Sequence, residues 1–132
     1  MNSEVGKIIK KSTFTIQKGR FIYAKVSKVP TMNNHFMIAK DDDEITVVTQ
    51  EENLPELELI EKNKDFYSLI ALNVFVPFYS VGFLATVSQV IAKEGMNILI
   101  VSTYSKDYIL VKSDRREDAK SVLLKLGFQE GI

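Results

Sequence analysis

The stretch from Tyr67 to Lys112 changes its hydrophobic period from two to helical and back again, and that narrows the folds open to the chain. Tyr67-Ser-Leu-Ile-Ala-Leu-Asn-Val-Phe-Val76 is rich in β-branched and aromatic residues and reads as a half- or fully buried strand. Pro77 interrupts the ladder and Phe78-Tyr-Ser-Val-Gly82 turns the chain. From Phe83 onward, Leu84, Val87 and Ile91 recur at helical spacing, Phe83 and Val90 widen the face, and Gly95 stops the helix. Asn97–Tyr104 and Tyr108–Lys112 follow as two strands joined by Ser105-Lys106-Asp107. The unit reads strand, helix, strand, strand.

The flanks are read the same way. Residues 1–12 mix Lys7, Lys10 and Lys11 with Val5, Ile8 and Ile9, and are expected to be a loosely docked terminal segment. Phe14–Ile16 and Phe21–Val26 look like the arms of a hairpin in which Gly19 supplies a positive φ. Residues 27–35 read as a loop. A second hairpin pairs Phe36–Lys40 with Glu44–Thr49 around an Asp41-Asp42-Asp43 tip. Glu51–Asp65 is acidic and carries Pro55; it reads as a solvated edge with a short strand near 57–61. Asp114-Arg-Arg-Glu117 has the spacing of a capping box, with Asp114 as N-cap. Ala119, Val122, Leu123 and Leu126 form the buried stripe of the helix that follows, Gly127 ends it, and 128–132 can add an edge strand.

Charge and composition exclude several classes of function. The 17 basic and 17 acidic side chains cancel, so no global field draws in nucleic acid or anionic lipid. The longest apolar run, Leu69–Val81, is broken by Asn73, Pro77 and Ser80 and is too short for a bilayer. With no cysteine there is no disulfide framework and no thiolate chemistry, and the chain reads as soluble and cytoplasmic. Neither a P-loop nor a Gly-x-Gly-x-x-Gly occurs, so no cofactor is expected. The Asp41–Asp43 run lacks the alternate ligand spacing of a calcium loop, and turn chemistry explains it. His35, the only histidine, would need carboxylates around it to hold zinc, against the usual ligand sets, so no metal is expected. No nucleophile–base set is apparent, and the chain reads as non-catalytic.

The candidate site lies at the head of the first helix of the Tyr67–Lys112 unit. Ser80, Val81, Gly82 and Phe83 offer unpaired backbone N–H groups, where the helix dipole favours a carboxylate. Thr103 and Ser105 supply hydroxyls and Asp107 a carboxylate for an ammonium; gathering them with Phe78 as the wall of one side-chain pocket is what a resemblance to the family named below implies. Those residue types together suit an amino acid. A plainer reading also stands: Ser80 caps the helix, Gly82 packs it on the sheet, and Asp107 is a turn residue.

Val81-Gly-Phe-Leu-Ala-Thr-Val-Ser88 and Ile98-Leu-Ile-Val-Ser-Thr-Tyr-Ser-Lys-Asp-Tyr-Ile-Leu-Val111 resemble the ACT domain family. The resemblance is to small tandem-ACT proteins akin to the cytosolic arginine sensors, and to the regulatory domains of aspartate kinases. Lys18-Gly19-Arg20-Phe21 and the Asp-Asp-Glu-Ile-Thr-Val-Val48 hairpin extend it through the first half. It implies an α+β fold with a ferredoxin-like βαββαβ lobe at 66–132 and a reduced ACT-like lobe at 13–65. The sheet would be mostly antiparallel with its helices on one face. By the same resemblance the chain is a stand-alone regulatory domain that binds an amino acid at a lobe or subunit interface. It would act as a homodimer that signals to an enzyme or regulator. The alternative is a ligand-free interaction module of the same fold. An RNA-binding sheet using Tyr104 and Tyr108 lacks the basic stripe that it needs.

Overall fold

The computed structural model describes residues 3–74 and 81–131 of the chain. In chain order its helices are α1 (Ser3–Lys10), α2 (Phe83–Lys93) and α3 (Arg116–Leu126). The strands are β1 (Thr13–Ile16), β2 (Phe21–Val26), β3 (Met37–Lys40), β4 (Ile45–Gln50), β5 (Leu59–Lys62), β6 (Tyr67–Asn73), β7 (Leu99–Ser102), β8 (Asp107–Lys112) and β9 (Gln129–Glu130). The chain divides into two compact units, one of residues 1–17 with 68–132 and the other of residues 18–67. Together these elements are an α+β, ferredoxin-like fold with a mainly antiparallel sheet.

In the first unit β6, α2, β7, β8, α3 and β9 give the βαββαβ order. β8 lies between β6 and β7, and β7 pairs antiparallel with β8 from Leu99↔Leu110 to Ser102↔Asp107. The apolar stripes of the helices explain why both sit on one face. Val87 and Ile91 of α2 and Ala119, Val122 and Leu123 of α3 close over Phe14, Ile70, Leu72, Ile109 and Val111. Phe128 packs edge-on against Phe14 at 6.4 Å and against Phe83 at 6.1 Å. β6 is buried on both faces from Ser68 to Leu72, as its unbroken apolar run requires.

Three local readings change within this unit. Residues 3–10 are not a loose terminus: they form α1, whose Val5 and Ile9, one turn apart, are buried in the same core. β1 is not the arm of a hairpin with β2; it pairs antiparallel with β6 from Thr13↔Asn73 to Ile16↔Ile70, and parallel with β9. Residues 13–17 therefore fold with the C-terminal segment, not with the lobe placed at 13–65. Gly19 does have φ +86, but a turn signal fixes only local direction, and burial of Phe14 decides the partner. Finally, Asp114 does not cap α3. A short 3₁₀ turn, Ser113–Arg115, intervenes, and Arg115 instead binds Asp118 Oδ2 at 2.7 Å and the Glu94 carbonyl at 3.0 Å.

The second unit is an antiparallel sheet in the order β3-β4-β2-β5. One face buries Ile22, Ala24, Val26 and Val47, with Leu54, Leu57 and Phe66 packed against them. Residues 51–56, expected as a solvated edge, form a 3₁₀ helix that includes Pro55. The β3–β4 tip behaves as its aspartates imply. Asp41 Oδ1 accepts the N–H groups of Asp43 at 2.8 Å and Glu44 at 2.9 Å, first the one and then the other lowering its pKa. A lowered folded-state value means that the turn's contribution is present above the ordinary carboxylate range and is lost as pH falls through the folded value. An NMR titration should find Asp41 titrating below that range; an ordinary value would show the two amides unbound.

Candidate functional site

The site read from the sequence falls in the first unit, and its residues divide into two groups. Phe78 and Ser80 lie outside the described residues. At the head of α2, Val81 is 88% exposed and Gly82 holds the N-cap position in the left-handed region, with φ +89. Among the described residues, its chain neighbours aside, no atom lies within 4 Å of where a Cβ on Gly82 would sit. The Gly82 carbonyl accepts the first helical bond from Thr86 at 2.9 Å. Phe83 is buried with its ring against Phe128, so it can offer a ligand its amide but not its side chain.

The second group surrounds the β7–β8 turn. The Thr103 N–H and hydroxyl both donate to the Lys106 carbonyl, at 2.8 and 3.1 Å, and Ser105 is exposed at the tip. Asp107 is not a solvated turn residue. It is the first residue of β8, only 7% exposed, and its Oδ1 accepts the Ser102 hydroxyl at 2.5 Å. Ser102, which the sequence reading passed over, is thus the hydroxyl nearest the carboxylate. Because α2 returns the chain between β6 and β7, these two strands run in the same sense. β7 therefore ends, and the turn lies, at the end of the unit where α2 begins. A helix head that favours an anion and a buried carboxylate that favours a cation share that end.

A second polar cluster, in the other unit, was not foreseen. Phe36 N–H bonds the Val48 carbonyl at 2.9 Å, extending the β3–β4 pairing and bringing His35 beside Thr49. His35 Nδ1 lies 2.9 Å from Thr49 Oγ1, which also accepts from Asn53 Nδ2 at 2.9 Å. Asn34 Nδ2 donates to Asn53 Oδ1 at 3.1 Å and to Glu56 Oε2 at 3.0 Å. The imidazole is fully enclosed, and its Nε2 lies 3.6 Å from Glu56 Oε1. Nothing in the string Asn33-Asn34-His35 distinguishes it from any polar loop; only the strand register brings Thr49 and Asn53 to it. Among the described residues no group of three or more His, Cys, Asp or Glu side chains is placed to hold a metal.

A βαββαβ lobe with its helices on one face defines the ferredoxin-like class. Residues 67–125 match the family model of the ACT domain. The chain is similar in structure to a Vibrio cholerae protein of unknown function described as a possible transport protein. The TM-score is 0.78 at 18% identity, over 95% of this chain and 97% of that one. An Agrobacterium tumefaciens protein gives 0.71 at 22% identity, over 91% and 92%. The ligand-free regulatory subunit of aspartate kinase from Thermus thermophilus gives 0.60 at 10% identity, over 87% and 95%. At such identities the likeness is one of fold. A comparison with curated protein sequences found no match.

Proposed function

We propose that this chain is a non-catalytic regulatory domain that binds an amino acid at the head of α2. Asp107 carries the reading. A carboxylate kept out of water costs free energy unless it is hydrogen-bonded and met by a cation, and the α2 amides at the same end of the unit need an anion. A zwitterion satisfies both. The ACT match supports a small ligand, and the likeness to an aspartate kinase regulatory subunit supports a regulatory role. The carboxylate would lie on the amides of Val81, Gly82 and Phe83, beside Ser80. The ammonium would face Asp107, Thr103 and Ser105 would add polar contacts, and Phe78 would wall the side chain.

The same reading makes the chain a cytoplasmic homodimer that reports to an enzyme or regulator. Among the described residues no helix is long and apolar enough to cross a membrane. Ile100, on the outer strand β7, is 41% exposed, which also favours a second reading: a ligand-free module that pairs through this edge. A thermal-shift screen of the common amino acids separates the two. A ligand that binds only the folded state adds about 2.7 kcal/mol at a hundredfold excess over its Kd, so at least one amino acid should raise Tm by several degrees. A flat screen, with light scattering still returning twice the chain mass, would leave the pairing module standing.

A further inference from the structure

Nε2 of His35 is, among the described residues, the buried side-chain nitrogen or oxygen left without a hydrogen-bond partner. A fully enclosed imidazole should not waste a polar atom, because an unpaired buried group costs free energy. Its neighbours Thr49 Oγ1, Asn53 and Glu56 Oε2 are held in place. Thr49 fixes the ring through Nδ1 and is itself held by Asn53, while Asn34 holds Glu56 through Oε2. What remains are His35 Nε2 and Glu56 Oε1, facing each other across 3.6 Å; with Nδ1–H donating to Thr49 Oγ1, Nε2 is left with an electron pair to offer.

We propose that this pair is a binding site for a divalent metal ion of the zinc type. An ion placed about 2.0–2.2 Å from both atoms would subtend roughly 110–130° between them, within reach of tetrahedral geometry. The outer contacts are those expected of a metal site: the ligating imidazole is oriented through its other ring nitrogen, and the ligating carboxylate through its other oxygen. The Glu56 side chain is 29% exposed, which gives the ion a way in, and water on the Glu56 side would fill the remaining coordination positions. Two protein ligands make an exchangeable site rather than a structural one. The imidazole selects zinc, copper, nickel or cobalt over magnesium or calcium, which demand oxygen shells. The site lies wholly within residues 18–67, apart from the proposed amino-acid site, and does not depend on it.

The composition makes the test clean, because His35 is the only histidine and there is no cysteine to compete for a soft metal. Untagged protein is titrated with zinc, and with magnesium as control, while the His35 ring resonances and Tm are followed. The expected result is saturable perturbation of the His35 ring and a raised Tm with zinc alone, both weakened at least tenfold in Glu56→Gln. That variant keeps an oxygen for Asn34 and leaves the His35–Thr49 contact intact. His35→Gln should lose the Tm response as well. If His35→Gln does not fold, Glu56→Gln decides alone. Unmoved ring resonances in zinc would overturn the site and mean that Nε2–H closes directly on Glu56. A zinc response that survives Glu56→Gln would overturn it equally, as binding to surface carboxylates.

Discussion

Phe14→Ala is expected to cost about 3–5 kcal/mol of unfolding free energy, more than any surface change in the chain. The ring is wholly buried, meets Phe128 edge-on, and lies in the cluster that joins β6, β8, α2 and α3. Truncation loses that burial and leaves a cavity that a sheet held on both sides of β1 cannot collapse to fill. The effect also tests the topology: only if β1 lies between β6 and β9 does Phe14 reach this core. Urea unfolding of the variant against Lys40→Ala, an exposed position on β3, measures the difference. A loss below about 1 kcal/mol, no larger than that of an ordinary surface site, would place β1 elsewhere.

Asp107→Asn should weaken binding of the amino acid found in the screen at least tenfold, the equivalent of about 1.5–3 kcal/mol for a charge-assisted contact. Asparagine keeps the shape and an acceptor for Ser102, so the substitution removes charge and little else. Because Asp107 is buried in β8, some change in stability accompanies it, about 1 kcal/mol for the weakened Ser102 bond. Calorimetric titration of wild type and variant, with unfolding curves for both, separates the two effects. Unchanged affinity would remove Asp107 from the site. A variant that fails to fold would make it a structural carboxylate, and Ser102→Ala would then show whether the bond between the two is what the fold needs.

The legible parts were those whose cause is local. The change of period between Tyr67 and Lys112 specified β6, α2, β7 and β8 because β6, α2 and β8 each bury a face and β7 half-buries Leu99 and Val101. The Asp41 tip was legible because a side chain bonding its own turn needs no distant partner. The misread parts depend on what the segment meets. α1 is an eight-residue helix, too short to persist alone, and only the docking of Val5 and Ile9 holds it. The β1–β2 turn looked like a hairpin because sequence shows the turn and not the strand that pairs with it. Asp107 looked solvated because Ser-Lys-Asp is a turn composition, whereas the register puts Asp107 opposite Ser102 inside the ladder. His35 was read as an isolated loop histidine because Glu56 is far from it in sequence and reaches it only through the 3₁₀ helix after β4.

The most direct test is to map the amino acid selected by the screen on the backbone amides of the protein by NMR. The account predicts that the largest shifts fall at Val81, Gly82 and Phe83 and across Ser102–Asp107, and that Asp107→Asn moves the titration midpoints of both sets together to at least tenfold higher ligand concentration. Shifts confined to residues 18–67, or a saturable ligand that leaves the head of α2 untouched, would contradict it.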